Sequence, residues 1–151
     1  HTQDSYSPLF LSIYTITFDG ASKGNPGRCG AGFVIWYNDT IIHEGYQFIS
    51  NCNTNNYAEY SALIIALKKC IELDIKNVII KGDSALVVKH INKEWEIQSN
   101  NLLPLYNIVL DLLIEFNTFN IIHIPRKKNT HADKLANKAI TENITEYNIM
   151  K

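Results

Sequence analysis

The sequence has no long apolar run, and its first residues do not resemble a secretory signal. No stretch approaches the roughly 18 consecutive apolar residues that a membrane-spanning helix needs. The N-terminus also lacks the basic start and the small-residue cleavage site of a signal peptide. We therefore expect a soluble intracellular protein, in the cytoplasm or the nucleus, that does not associate with membranes.

Paired cysteines are absent as well. Cys29, Cys52 and Cys70 are odd in number, show no C-x-x-C spacing and lie within apolar patterns. This arrangement favours reduced thiols over a disulfide framework or a zinc site. The sequence thus predicts no disulfide-linked partner.

The chain also lacks a strong net charge. Its formal charge of −1 at pH 7 argues against strong nonspecific affinity for nucleic acid, so any such binding must be local. Its 151 residues, 46% of them hydrophobic, are enough for one domain with a core and leave no room for a second. We expect this one domain to carry the function. The sequence does not indicate an oligomeric state, and a monomer is the simplest expectation.

Strand patterns come first along the chain, and helices and strands alternate after them. β-branched and aromatic residues predict a three-stranded antiparallel meander, with a turn at Asn38-Asp39 and strands at 12–18, 31–37 and 40–48. The helical spacing of apolar residues predicts helices at 56–73, 84–92, 102–116 and 131–141. Short buried strands are predicted at 77–81 and 120–125.

These elements follow the order βββαβααβα. Strands that alternate with helices after a meander imply parallel crossovers, so we expect an α/β fold with a mixed five-stranded sheet and helices on both faces. We assign the domain to residues 12–142, with an N-terminal tail at 1–11 and a C-terminal tail at 143–151.

Four acidic residues stand in separate local contexts: Asp19 in TFDGAS, Glu59 in TNNYAEY, Asp83 in KGDS and Asp133 in NTHADKLAN. Two of them follow predicted strands and two lie in the first turn of predicted helices, places that converge at one edge of an open α/β sheet. Convergent carboxylates repel one another unless a cation neutralises them, and Mg²⁺ prefers oxygen ligands. The sequence therefore predicts a metal-dependent enzyme that acts on phosphates.

Each carboxylate also has a purely structural interpretation. Asp19-Gly20 is compatible with an ordinary turn, and Asn56-x-x-Glu59 has the form of a capping box. Asp83 is compatible with a cap of the next helix beside Ser84, and Asp133 with a favourable interaction with the N-terminal dipole of the last helix. Taken singly, these interpretations are preferred; the convergence of all four favours a metal site.

The segments DGASKGNPG, TNNYAEY, GDS and NTHADKLAN, in this order, closely resemble type 1 ribonuclease H over roughly residues 13–141. The resemblance implies a ribonuclease H-like fold and hydrolysis of the RNA strand of an RNA/DNA hybrid, which leaves 5′-phosphate and 3′-hydroxyl ends. It implies two magnesium ions, for which manganese often substitutes. It also implies that Asp19, Glu59, Asp83 and Asp133 are the metal ligands and that Asp19 bridges both ions.

The family has a mobile histidine, or a substitute for it, near the last carboxylate. In this chain IIHIPRKKNTHAD contains His123, Arg126 and His131. His123 lies in an apolar strand pattern, which is typical of a satisfied core histidine. Arg126 follows Pro125 on the loop where the family's auxiliary residue lies, so we expect Arg126 to be the auxiliary catalytic group.

Six further residues match family positions that contact the hybrid. The resemblance implies minor-groove contacts to 2′-hydroxyls from Ser22, Asn25, Asn55 and Asn56. It implies a DNA-phosphate contact from Thr54, although Cys52 replaces an arginine often found two residues before it. Trp95 is a candidate surface for the DNA sugar backbone. Helix capping by Asn55 or Asn56 and a core position for Trp95 remain open as alternatives.

The basic handle of some family members has no counterpart here, and the densest positive cluster is the loop at 126–128. Other classes of protein fit the sequence less well than a ribonuclease H. A nucleotide-binding loop is disfavoured because a strand, not a helix, follows Gly27. A resolvase or transposase core lacks TNNYAEY and HADKLAN, and a non-catalytic hybrid-binding module is expected to have lost a carboxylate. A ribonuclease H segment of a reverse transcriptase stays open.

Overall fold

The computed structural model describes residues 12–150, with side chains described as far as residue 143. The predicted N-terminal tail at 1–11 lies outside the described residues. Five strands form one sheet: β1 Tyr14–Gly24, β2 Gly27–Tyr37, β3 Thr40–Asn53, β4 Asn77–Gly82 and β5 Thr118–His123. Four α-helices accompany them: α1 Asn55–Glu72, α2 Ala85–Ile91, α3 Leu103–Leu113 and α4 Thr130–Met150. A single turn of 3-10 helix spans Arg126–Lys128.

The strand order across the sheet is β3-β2-β1-β4-β5. The first three strands pair antiparallel, and β4 pairs parallel with both β1 and β5. The predicted element order and the mixed five-stranded sheet are therefore confirmed. None of the described helices is long and apolar enough to cross a membrane.

Helices cover both faces because the side chains of each strand alternate between them. Ile16 and Phe18 of β1 are fully buried in the core beneath α1. On the opposite face, Gly32 of β2 lies against α4, and a Cβ atom there would come within 2.5 Å of the Ala136 backbone nitrogen. Each fully buried apolar side chain contributes about 1.5–3 kcal/mol to stability, so the larger core under α1 dominates the fold.

Four elements extend beyond their predicted ends: β1, β2, which begins at Gly27, β3, which ends at Asn53, and α4. β1 continues beyond Phe18 to Gly24, because its backbone pairing with β2 persists to Gly24↔Gly27. Asp19 consequently lies within β1 and not after its end. Helix α4 continues past the predicted end at Thr141 to Met150 and includes most of the segment assigned to a C-terminal tail. Residues 141–150 contain neither glycine nor proline, so no helix breaker ends α4 earlier.

Candidate active site

Three acidic side chains meet at the junction of β1, β4 and α1. Carboxylate oxygens of Asp19, Glu59 and Asp83 all lie within 4.8 Å of one another. Asp19 and Glu59 are buried, and Asp83 is half-buried. Asp133, in the first turn of α4, lies near enough to Asp19 to help raise the pKa of the Asp19 carboxyl. The structure thus brings all four predicted carboxylates to one place, while their role as metal ligands stays a prediction.

The close approach of α1 to β1 fixes Glu59. Gly20 has no side chain, and a Cβ atom at this position would lie 2.2 Å from the Ala58 carbonyl carbon. This contact lets the Gly20 N–H donate to Glu59 Oε1 at 2.8 Å. Glu59 therefore bonds to the neighbouring strand and does not form the capping box that the sequence also allows. A larger residue at 20 would push α1 and Glu59 away.

Burial and the repulsion between neighbouring carboxylates raise the pKa values of Asp19 and Glu59. The pKa of Asp19 rises from its ordinary value of 3.8 to about 8, mainly because of burial and next because of the Asp83 charge. The pKa of Glu59 is raised well above its ordinary value by burial first and by the Asp19 charge second. Without a cation, the site therefore resists full ionisation near neutral pH.

Asn129 is a site residue that the sequence did not predict. Its amide is buried and donates to the Phe18 carbonyl at 2.8 Å and to Asp83 Oδ2 at 3.2 Å. Asn129 Oδ1 is buried without a hydrogen-bond partner among the described residues. As the polar residue just before a helix, Asn129 has the sequence signal of an ordinary cap, which gives no indication of this role.

The donor set suits a hard divalent cation. Carboxylate oxygens are the ligands that Mg²⁺ and Mn²⁺ prefer, and a cation would offset the repulsion that raises both pKa values. Asp19, Glu59 and Asp83 are therefore the residues able to hold such an ion, and Asp133 adds a fourth carboxylate beside Asp19.

The three basic candidates near the last carboxylate have different surroundings. Arg126 is exposed at the start of the 3-10 turn and has no ion pair among the described residues, so it is free to reach a ligand. His123 is exposed at the end of β5, with Nε2 3.2 Å from the Asp83 carbonyl oxygen. The interpretation of His123 as a core histidine was wrong, because β5 is an edge strand. His131 is paired with Glu44 at 2.7 Å.

The polar candidates cluster where the β1–β2 hairpin meets the start of α1. The Asn55 N–H donates to Asn25 Oδ1 at 3.1 Å, and the Ser22 hydroxyl donates to the Gly24 carbonyl. Thr54 caps α1 by accepting from the Tyr57 N–H at 3.1 Å. The cap is thus Thr54 and neither Asn55 nor Asn56, so the capping alternative for those two residues was wrong. Similarly, Ser84 and not Asp83 caps α2.

Trp95 lies at a cleft of about 530 Å³ on the α2 side of the site. Its side chain is 50% exposed, so the alternative of a core tryptophan was wrong. Asn56 and Glu94 line the same cleft, and Lys89 Nζ lies 5.7 Å from the centre of the Trp95 ring. Cys29, Cys52 and Cys70 form no disulfide among the described residues, and Cys29 and Cys70 are buried.

Known proteins resemble both the sequence and the structure. A family model described as reverse transcriptase-like matches residues 17–139. Ribonuclease HI of Halobacterium salinarum is 39% identical over 126 residues, covering 83% of this chain and 63% of that protein. The crystal structure of RNase H1 from this archaeon matches with a TM-score of 0.83 and 37% identity, covering 86% of this chain and 98% of that chain.

Two further similar proteins show how much of a longer relative this chain spans and what one relative binds. A bifunctional protein of Mycobacterium tuberculosis is 39% identical over 127 residues, covering 83% of this chain and 35% of that protein. The chain therefore spans about a third of that relative. LC11-RNase H1, isolated from compost, was crystallised with an RNA/DNA hybrid. It matches with a TM-score of 0.81 and 32% identity, covering 87% of this chain and 99% of that chain.

The family model covers well over half of the chain, and the solved structures share its fold at more than 30% identity. This chain belongs to the ribonuclease H-like family.

Proposed function

We propose that this protein hydrolyses the RNA strand of RNA/DNA hybrids, as a type 1 ribonuclease H, and leaves 5′-phosphate and 3′-hydroxyl ends. The observation that carries this proposal is the carboxylate cluster, whose oxygens lie within 4.8 Å of one another in a fold shared with ribonucleases H. The hybrid bound to LC11-RNase H1 supports the choice of substrate.

The carboxylates are proposed to hold two magnesium ions, with Asp19 between them and Glu59, Asp83 and Asp133 around them. Metal ions bound there would activate water and stabilise the developing negative charge of phosphodiester cleavage. Asn129 holds the Asp83 carboxylate and the end of β1 in place through its two hydrogen bonds. Glu59 is held by the Gly20 N–H, so the ligand set is preorganised by the backbone.

Arg126 is proposed as the auxiliary group. It is exposed, it is free of ion pairs among the described residues, and it lies on the loop that leads through Asn129 to Asp133. From this loop its guanidinium can approach a phosphate oxygen beside the carboxylates, where its fork of donors suits an anion.

Substrate recognition is assigned to the uncharged loops. Ser22, Asn25, Asn55 and Asn56 would contact 2′-hydroxyls in the minor groove, where neutral donors and acceptors distinguish RNA from DNA. Thr54 would contact a DNA phosphate, and Trp95 would pack against the sugars of that strand. The exposure of Trp95 supports its assignment, and the Asn55 side chain supports its own because it forms no hydrogen bond among the described residues.

A cleavage assay tests the proposed function. The full chain is incubated with an RNA/DNA hybrid, with duplex RNA and with duplex DNA of the same sequence, each with magnesium, with manganese or with a chelator. We expect cleavage of the RNA strand of the hybrid only, in either metal, and 5′-phosphate ends on the products. Equal cleavage of duplex RNA, or undiminished cleavage in chelator, would contradict the proposal.

Substitution of Asn55 separates recognition from chemistry. The Asn55 side chain has no hydrogen bond among the described residues, and its backbone N–H is held by Asn25. We therefore expect Asn55→Ala to leave the melting temperature unchanged and to raise KM about fivefold, since one neutral hydrogen bond contributes about 1 kcal/mol. The turnover number should change less than KM.

Asn25→Ala is the comparison variant for this measurement. It removes the acceptor that holds the Asn55 backbone, so it should lower the melting temperature as well as weaken substrate binding. A collapse of kcat with KM unchanged for Asn55→Ala would place this side chain at the reacting phosphate and overturn its role in recognition.

A further inference from the structure

A second cleft, of about 280 Å³, lies at the opposite end of β1 from the hairpin with Gly24. Its lining includes two hydroxyls, an indole, two lysines and one carboxylate: Thr15, Thr17, Trp36, Lys81, Lys128 and Asp39. None of the roles described above uses these side chains, apart from the place of Lys128 in the basic loop.

The cleft opens on the same face of the sheet as the carboxylates. Side chains alternate along a strand, so Thr15, Thr17 and Asp19 project from β1 to one side. Thr17 is the register partner of Lys81 on β4, and Asp83 follows Lys81 by two residues. The cleft therefore continues the active-site surface beyond the start of α4. Helix α4 itself covers a different part of this face and leaves the cleft open.

Its polar groups are those that bind a phosphate. Lys81 is half-buried and Lys128 is exposed, and neither forms an ion pair within the described part of the chain. Thr17 Oγ1 accepts from the Trp36 indole N–H at 3.1 Å, which leaves the Thr17 hydroxyl proton free to donate. Two ammonium groups and a hydroxyl donor suit an anionic oxygen cluster, and Asp39 alone opposes it.

The wall of the cleft is held rigidly. The Trp36 ring meets the His131 ring edge-on, with centroids 6.0 Å apart, and His131 is paired with Glu44 at 2.7 Å. Lys128 lies one residue before Asn129, which binds Asp83. A ligand in this cleft would thus contact the same loop that supports the carboxylates.

We propose that this cleft binds a backbone phosphate of the nucleic-acid substrate beyond the phosphodiester that reacts. The inference rests on the proposed function and adds a contact to it. The cleft begins two residues from Asp19 and extends two further residues along β1, or about 7–14 Å at a strand rise of about 3.4 Å. For a duplex whose axis follows β1, an axial rise of about 3.4 Å per nucleotide step puts the bound phosphate about two to four steps from the reacting one.

The test is hybrid affinity as a function of salt, measured by fluorescence anisotropy on the full chain in chelator, where the hybrid stays intact. We expect Lys81→Gln and Lys128→Gln each to weaken binding at 50 mM salt. Each should also flatten the slope of log affinity against log salt by about 0.9, so that the loss of affinity between 50 and 200 mM becomes about 3.5-fold smaller. Asp39→Asn should tighten binding.

Lys76→Gln is the matched control, because it removes the same charge from an exposed lysine that precedes β4 and does not line the cleft. It should leave the slope unchanged. Lys81→Arg keeps the charge and should retain the slope, which separates binding from a structural role of the half-buried Lys81. If Lys81→Gln does not fold, exposed Lys128→Gln and Asp39→Asn still decide the inference. A wild-type slope for Lys128→Gln, together with wild-type affinity for Asp39→Asn, would overturn it.

Substrate design locates the phosphate. A DNA duplex with one short ribonucleotide segment fixes the reacting bond, and uncharged methylphosphonate linkages are placed two to four steps away in either strand. One such placement should erase the affinity difference between wild type and Lys128→Gln. If none does, and inorganic phosphate competes fully at this site, the cleft is a small-anion site and the inference is wrong. If wild type fails to cleave hybrid while the salt slopes behave as expected, only the proposed function fails.

Discussion

Asp19→Asn is expected to lower the rate of hybrid cleavage in magnesium by at least about a thousandfold, which corresponds to about 4 kcal/mol of transition-state stabilisation. Asp19 is the carboxylate that lies close to all three of the others. Its carboxylate lies within 4.8 Å of those of Glu59 and Asp83, and the nearby Asp133 helps to raise its pKa. Asparagine has nearly the same shape but carries no charge, so the variant removes the central ligand and little else.

The measurement is the single-turnover rate with enzyme in excess over hybrid, together with circular dichroism to verify the fold. Asp74→Asn is the matched control, because the Asp74 side chain is 86% exposed and its one ion pair within the described part of the chain is with Lys76 at 3.5 Å. This control should cleave at the wild-type rate. A wild-type rate for Asp19→Asn would refute the role of Asp19 as a metal ligand, while hybrid affinity should stay within a few-fold of wild type in either case.

The sequence was sufficient to predict the fold because its periodicities are unambiguous. Apolar residues on α1 recur on one face, and β1 alternates between core residues such as Ile16 and polar residues such as Thr17. The ends of the elements were harder to predict. Pairing between β1 and β2 extends through glycines that read locally as a loop, and only the partner strand reveals that Gly20 belongs to β1.

Only part of the site could be predicted, because neither the exposure of a side chain nor its contacts with residues far along the chain leave a local sequence pattern. The sequence pattern correctly places Asp83 just after β4 and Asp133 in the first turn of α4. Asp19, however, lies within β1, and Glu59 lies beyond the first turn of α1. The supporting contacts come from residues far apart in the chain: Asn129 binds the carbonyl of Phe18, 111 positions away. His123 is exposed because β5 is an edge strand, and Trp95 is exposed because it lies in the short segment after α2. A local sequence pattern predicts neither feature.

The same Asp19→Asn substitution is expected to stabilise the metal-free protein near pH 8. The pKa of Asp19 is raised from 3.8 to about 8, primarily by burial and secondarily by the Asp83 charge. Below pH 3.8 this carboxyl is protonated in both the folded and the unfolded chain, and it imposes no penalty. As pH rises toward 8, the unfolded chain ionises first, so the wild type loses folding free energy until the folded carboxyl also ionises.

Asparagine removes this penalty because it does not titrate. The difference in free energy of unfolding between variant and wild type should be small at pH 4 and should grow to about 5 kcal/mol at pH 8, a rise in Tm of roughly 10–20 °C. Thermal unfolding in chelator at both pH values measures it, with Asp74→Asn as the control that shows no such growth. Magnesium should narrow the gap at pH 8, because it stabilises the wild type more than the variant. A gap that is equal at pH 4 and pH 8 would contradict the raised pKa of Asp19 and, with it, the electrostatic reason why this site attracts cations.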